Sequence, residues 1–241
     1  MLVSGVDRNF HKQETLKSLV GLSRRIGAAT VAEGVETQEE ALVALELGVD
    51  MLQGYFIGSP QPGSVVNVGV SQASRVVVSL ARQLKDLMVR KIHRERIHHR
   101  LLTAVANDVV TRLASRTVEE FDHSLEEIVR VHPNIECVYL LDALGQQVTT
   151  TMLSASATRR KQSVVFHPSR VGTDHSLQEY FYALSEAELQ RFMTGSQVSL
   201  ASGNVCRTFS TAFRNLTNDA RYVLCLEVAP PAASYRSVHE A

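Results

Sequence analysis

Two short stretches near the amino end, VAEGVET at residues 31–37 and LQGYFIGSP at residues 52–60, decide how the first part of this chain folds. Each opens on a few apolar residues and then turns polar, at Glu33 in the first stretch and at Gln53 in the second. A helical apolar repeat lies between them, at residues 41–47. Strand, polar end, helix, strand and polar end is the pattern of a parallel α/β repeat. We therefore expect Glu33 and Gln53 at the carboxyl ends of neighbouring strands, where such folds place their chemistry.

The acidic residues of the first stretch also have an ordinary structural explanation. Glu33 and Glu36 precede the predicted helix, and negative charges near a helix amino terminus are favoured by the helix dipole. Spacing alone leaves the structural and the functional explanation open.

The compound pattern AEGVET, then QGY, then a Ser-Pro ending resembles the last part of an EAL domain, the bacterial barrel that hydrolyses cyclic di-GMP. The resemblance implies that residues 1–62 form an α/β fragment of a TIM-type barrel. It also implies that Glu33 and Gln53 line a catalytic two-metal centre and that Glu36 supports it. Mg²⁺ or Mn²⁺ is the cofactor implied for a complete EAL domain, and cyclic di-GMP is its partner.

Other motifs of that family have no match in this chain. The opening Glu-Ala-Leu motif is missing before Glu33, and the Asp-Asp-Phe-Gly motif is absent, so residues 1–62 resemble the final quarter of a domain of about 250 residues. Two metal ions need several carboxylates from different strands. We expect this chain alone to hold no metal, to need no cofactor and to be inactive, while a parent protein with the remaining barrel upstream would be a phosphodiesterase.

Composition excludes several classes of protein. The 241 residues are 44% hydrophobic and 21% charged, and 25 basic residues balance 25 acidic ones, so no global field attracts polyanions. No apolar run is long enough to span a bilayer, and we expect a cytoplasmic protein. Cys137, Cys206 and Cys225 lack metal-ligand spacing and are expected to be buried thiols.

The breaker cluster GSPQPG at residues 58–63 ends the first part, and residues 63–114 are predicted to be a connecting helical segment. Apolar residues at spacings of three and four predict one apolar stripe over residues 71–114, and residues 90–100 are strongly basic. Three interpretations compete: a connecting helix with one break near His98, a dimerising helix, and a nucleic-acid contact. The basic run lacks interleaved aromatic residues, so we expect no nucleic-acid partner and favour a homodimer over it.

Residues 115–230 are predicted to form an α+β domain with a central antiparallel sheet, and residues 231–241 a tail. A helix is expected at 118–132, and a hairpin at 137–151 turns at residues 142–145. Further strands are expected at 164–166, 197–200, 206–213 and 222–228, and Asp174 is expected to cap a helix within 174–184. Residues 206–213 alternate, which puts Cys, Thr, Ser and Ala on one side and Arg, Phe, Thr and Phe on the other.

This second region resembles a PAS-like sensor domain of the Cache type. Its signals are a strand-Asp-x-x-Gly hairpin, the segment DHSLQEYF and two closing strands, while Gln178 replaces a basic residue often found in that family. The resemblance implies that the domain binds a small metabolite through Asp174, Tyr180, Tyr182, Arg207, Thr208, Ser210 and Glu227.

The chemistry of those residues suits a small zwitterionic or anionic ligand, because Arg pairs with a carboxylate and Glu with an amine. The alternative is that Tyr180 and Tyr182 are core residues and that Arg207 and Glu227 form a cross-strand surface pair. The sequence as a whole predicts the regulatory or sensory portion of a bacterial cyclic di-GMP signalling protein. The alternatives are part of an active phosphodiesterase and a dimerisation scaffold without a ligand.

Overall fold

The chain forms two compact units in the computed structural model, one reaching to Arg96 and the other beginning at Ile97. The structure describes residues 2–59, 66–155, 157 and 166–230, with the backbone alone for residues 66–72. The predicted strand at 164–166 lies mostly outside the described residues, and the predicted tail at 231–241 lies wholly outside them.

The first unit contains one parallel strand pair and the helices around it. The elements are α1 (Phe10–Arg25), β1 (Val31–Glu33), α2 (Gln38–Glu46) and β2 (Met51–Gln53). Strands β1 and β2 pair in parallel, as the sequence predicted. Helix α2 begins after Thr37, which forms a capping box with Glu40. The core of this unit is made by buried aliphatic residues, among them Val6, Leu16, Val20, Val35, Ala44 and Val49.

Helix α3 (Val66–Ala114) is continuous through His98, so the predicted break there is wrong. The reason is local, because residues 71–114 contain no proline or glycine to interrupt the helix. The apolar residues of α3 differ in how deeply they are buried. Leu80 is buried in the core of the first unit and Leu102 in that of the second, while Ile92 is 59% exposed. No helix in the described part of the chain, α3 included, is both long and apolar enough to cross a membrane.

The second unit is an α+β domain, as predicted. A short 3₁₀ helix at Val118–Glu120 and α4 (Phe121–Val131) precede the strands. The strands and the remaining helix are β3 (Ile135–Leu141), β4 (Met152–Leu153), α5 (Glu179–Ser185), β5 (Arg191–Met193), β6 (Gln197–Val198), β7 (Val205–Arg214) and β8 (Arg221–Val228). The sheet order is β4-β3-β8-β7-β5, β6 also pairs with β7, and every pairing is antiparallel.

Each face of this sheet carries its own core. One face packs against α4 and the end of α3, with Phe121, Phe209 and Leu224 fully or almost fully buried. The other face packs beneath α5, with Cys225 and Phe181 in a second cluster. Strands β3, β7 and β8 are therefore buried on both sides, which explains the nearly continuous burial along β3 and β8.

Three local predictions in this unit need correction. The return strand at 146–151 makes only isolated bridges, because the backbone N–H of Leu140 donates to the Thr149 side chain at 3.0 Å rather than to a backbone carbonyl. The return pairing is confined to β4. Asp174 does not cap α5, which begins after Gln178; it accepts a hydrogen bond from the backbone of Ser176 instead. The three-residue strand β5 was not predicted.

Candidate functional site

Two side chains stand together at the carboxyl ends of β1 and β2. Glu33 and Gln53 are partners in the parallel register, and both are exposed to solvent. The sequence prediction that these two residues lie on side-by-side strand ends is therefore confirmed as geometry. Their catalytic role stays a prediction, as does that of Glu36, which is exposed at the same end.

The loops that follow these two strands are locked to one another through Val35. Its backbone N–H donates to the carbonyl of Gln53 at 3.1 Å, and its carbonyl accepts from the N–H of Phe56 at 3.1 Å. Gly54 makes this approach feasible, because a Cβ placed there would lie 2.1 Å from the Val35 carbonyl oxygen. The spacing of Glu33 and Gln53 is thus fixed by backbone contacts.

Glu40 holds the loop after β1 from beneath. Its buried carboxylate accepts hydrogen bonds from the backbone N–H groups of Gly5 (2.7 Å), Glu36 (2.9 Å) and Thr37 (3.2 Å). Burial raises the pKa of Glu40, but these hydrogen bonds outweigh it and leave that pKa below its usual value. Sequence reasoning missed Glu40, although the Thr-x-x-Glu spacing of a capping box was there to find it.

The strand ends do not by themselves make a metal centre. Within the described ranges, no three His, Cys, Asp or Glu residues converge as metal ligands would. The exposed pair of Glu33 and Gln53 supplies one carboxylate and one amide, which falls short of the ligands that a two-metal site needs.

Four of the predicted ligand residues meet on the α5 side of the sheet in the second unit. Thr208 and Glu227 are cross-strand partners, Ser210 lies two residues further along β7, and Tyr180 packs above them from α5. All four are buried. This set is the part of the predicted site that the structure brings together.

The other three predicted ligand residues lie elsewhere. Arg207 is opposite Val228, on the face that packs against α4, and its Nε donates to the carbonyl of Thr194 at 3.2 Å. Arg207 and Glu227 therefore form neither one pocket nor a cross-strand surface pair, because alternate residues of a strand face opposite sides. Asp174 is exposed, and so is Tyr182, at 45%.

A buried polar network that the sequence did not predict lies on the α5 side. His175 Nδ1 is 2.7 Å from the Tyr180 hydroxyl, and Nε2 is 2.9 Å from Gln147 Oε1. Since the Gln147 amide nitrogen donates to the Thr149 carbonyl, Oε1 accepts and His175 carries its proton on Nε2. Burial lowers the pKa of His175, partly offset by Asp174. Tyr139 stacks on the imidazole at 5.2 Å.

The three cysteines are buried and unbridged, as the sequence predicted. Burial raises the pKa of Cys137, Cys206 and Cys225, and the carboxylate of Glu227 adds to each increase. These thiols therefore stay protonated and act as weak hydrogen-bond donors. A separate open cleft of about 510 Å³ lies beside the end of α5, with Glu188, Arg191 and Arg221 in its wall, and it contains none of the predicted ligand residues.

Comparison with known proteins places the first region in context. Residues 1–60 match the family model of the EAL domain. The cyclic di-GMP phosphodiesterase PdeL of Escherichia coli K12 is 49% identical over 47 residues, which are 20% of this chain and 13% of that protein. The probable cyclic di-GMP phosphodiesterase PdeN of the same organism is 47% identical over 47 residues, 20% of this chain and 9% of that protein. The chain thus spans far less than half of either relative.

A solved structure is similar to a larger part of the chain. It is the Bacillus subtilis YkuI protein, with an EAL domain, in complex with the substrate c-di-GMP and calcium. The TM-score is 0.53 at 18% identity, over 91% of this chain and 53% of that one. At this identity the likeness concerns the fold alone. Residues 1–60 are thus similar to EAL domains in sequence, and the chain is similar in fold to an EAL-containing protein.

Proposed function

We propose that this chain is the regulatory and sensory portion of a bacterial cyclic di-GMP signalling protein. Residues 1–62 are the C-terminal portion of an EAL barrel, residues 63–114 connect, residues 115–230 form a PAS-like domain of the Cache type, and residues 231–241 are a tail. The observation that carries the proposal is the parallel pairing of Glu33 with Gln53 inside the segment that matches the EAL family. A cytoplasmic location is part of the proposal.

In this proposal Glu33 and Gln53 are catalytic-site residues of a complete EAL barrel, with Glu36 in support and Mg²⁺ or Mn²⁺ as the metal. The purified 241-residue chain is inactive, because too few carboxylates converge among its described residues. The test is chromatography of cyclic di-GMP incubated with the chain and either metal. Metal-dependent turnover that Glu33→Gln abolishes would place a complete catalytic centre in this chain and refute its proposed inactivity.

The proposed sensory role rests on the buried polar face beneath α5. Thr208, Ser210 and Glu227 are buried on the side of the sheet that faces α5. Thr208 Oγ1 accepts a hydrogen bond from Gln197 Nε2 at 2.9 Å, whereas Ser210 Oγ has no partner among the described residues. Buried polar groups are costly unless a partner satisfies them. A specific metabolite that binds the folded domain raises its melting temperature by mass action. Screening metabolite mixtures by melting temperature tests this role, and a Thr208→Val variant checks that the response comes from this face.

A dimerisation scaffold is the second candidate, favoured by exposed apolar residues on α3. Val78, Val89 and Ile92 are 63%, 55% and 59% exposed, and their spacing puts them on one side of the helix. A homodimer would cover them. Sedimentation analysis tests this candidate: Ile92→Glu dissociates the dimer, while Arg94→Glu on another side of the helix leaves it intact.

A further inference from the structure

The starting observation is the carboxylate of Glu227, which is 6% exposed near the end of β8, the central strand of the sheet. Cys137 on β3 and Thr208 on β7 are its cross-strand neighbours. Its recorded hydrogen-bond partners are thiols, with Cys206 Sγ 3.6 Å from Oε2 and Cys137 beside it. Within residues 2–59, 66–155, 157 and 166–230, no cationic side chain pairs with it. Buried charges in proteins are nearly always paired with an opposite charge.

A second observation on the same face is the hydroxyl of Ser210. This side chain is fully buried, and its Oγ has no hydrogen-bond partner among the described residues. Ser210 lies two residues from Thr208 on β7, so its side chain stands on the same side of the sheet as Glu227. Buried hydroxyls are normally hydrogen-bonded, so a buried hydroxyl without a partner beside a buried acid indicates a guest that supplies one.

The chemistry of the face selects the kind of guest. A protonated amine makes a stronger hydrogen bond to a carboxylate than the neutral thiols that contact Glu227 here. Tyr139 and Tyr180 belong to the same packed cluster and offer aromatic surfaces that attract cations. Arg207 lies on the opposite face, so it is not placed to pair with a carboxylate of a guest beside Glu227.

We propose that Glu227 and Ser210 bind a small protonated amine between the sheet and α5. The ammonium group donates to the carboxylate and to the Ser210 hydroxyl, and the tyrosine rings enclose its apolar part. This inference rests on the proposed sensory function and narrows its ligand from a zwitterion or an anion to a cation.

The experiment uses the full 241-residue chain at constant ionic strength. Methylamine, ethanolamine and putrescine, all protonated at pH 7, are compared with acetate and acetamide by melting temperature and calorimetry. At least one amine raises the melting temperature of the wild type, and Glu227→Gln weakens its affinity by at least about tenfold. The control Glu179→Gln, on exposed α5 surface, leaves affinity unchanged. Ser210→Ala weakens binding less, and it serves as the second variant if Glu227→Gln does not fold.

Three outcomes overturn the inference. The first is that no amine stabilises the wild type, and the second is that amines stabilise Glu227→Gln equally. The third concerns Arg159, Arg160 and Lys161, which lie outside the described residues. If their substitution by Gln destabilises the wild type but not the Glu227→Gln variant, the cation that pairs with Glu227 is a side chain of this protein and not a bound amine. If amines fail while another class in the metabolite screen binds, the cation is wrong and the sensory function stands.

Discussion

The two units treat their polar residues in opposite ways. In the first, Glu33 and Gln53 stand exposed at the ends of a sheet that has two strands among the described residues. In the second, Glu227, Thr208 and Ser210 are buried in a sheet with a core on each face. Exposed side chains at strand ends can form an active site once further residues are added to them. Buried polar side chains can instead bind a small molecule that the domain encloses. In the proposed function, the catalytic-site residues and the ligand-binding residues therefore belong to different units of the chain.

The largest expected effect concerns the second unit's core. Phe209→Ala removes a side chain that is 1% exposed and lowers the unfolding free energy of this unit by about 3–5 kcal/mol. Urea unfolding followed by circular dichroism, with hydrogen exchange of residues 97–230, measures it. Leu216→Ala, at a position that is 78% exposed, is the control and changes stability little. If Phe209→Ala lowers the unfolding free energy of both units equally, the two units unfold together and cannot be compared as independent parts.

The next effect tests whether Glu40 organises the first unit. Glu40→Ala leaves three backbone N–H groups without their acceptor and costs about 2–3 kcal/mol. Because the folded pKa is depressed, the contribution of Glu40 is fully present above about pH 4.5 and is lost as pH falls further. Thermal unfolding at several pH values measures this, with Glu39→Ala in the same helical turn as the control. If the two variants lose stability equally, Glu40 has no special role.

A smaller effect concerns the contact between the two loops. Gly54→Ala puts a methyl group against the backbone of Val35 and costs about 1–3 kcal/mol. Hydrogen exchange in residues 28–57 is expected to accelerate. Gly21→Ala is a matched control in α1, where an added Cβ meets nothing within 4 Å, and it stabilises the helix by up to about 1 kcal/mol. Unchanged exchange in Gly54→Ala would mean that the loops move independently.

The smallest effect is a pH dependence in the second unit. The folded pKa of His175 is lowered, so its contribution to stability is present above about pH 6.5, the unfolded value, and declines as pH falls below it. The melting temperature of the wild type therefore drops between about pH 6.5 and 5 more steeply than that of His175→Gln. The exposed His123→Gln serves as the control. If the melting temperatures of the wild type and of His175→Gln fall in parallel with pH, His175 does not cause the pH dependence.

The sequence predicted structure well where a short local pattern determines which way side chains point. The polar ends after short apolar runs predicted the parallel partners Glu33 and Gln53, and the alternation along β7 correctly separated Arg207 from Thr208 and Ser210. The resemblance to the Cache type assigned Arg207, Thr208 and Ser210 to one pocket. The alternation along β7 contradicts that assignment, because it puts Arg207 on the opposite side of the sheet from the other two. A period of two residues was the more reliable guide to which side chains meet.

The remainder depended on contacts between distant residues. Strand β5 has only three residues, too few to show a strand pattern in the sequence. It forms by pairing with the edge of β7. His175 and Gln147 are 28 residues apart, so their hydrogen bond had no local signature. The helix over residues 71–114 was predicted, and only the break near His98 was wrong, because no proline or glycine interrupts the helix there.

The placement of the sulfur atoms has a practical consequence. All three cysteines lie beyond residue 97, and each is inaccessible in the native state. An alkylating reagent can modify them only when that part of the molecule opens, because in the folded state the thiols are inaccessible and burial raises their pKa, which keeps them protonated. The rate of cysteine alkylation in the wild-type chain therefore reports the opening of the second unit and gives no information about the first.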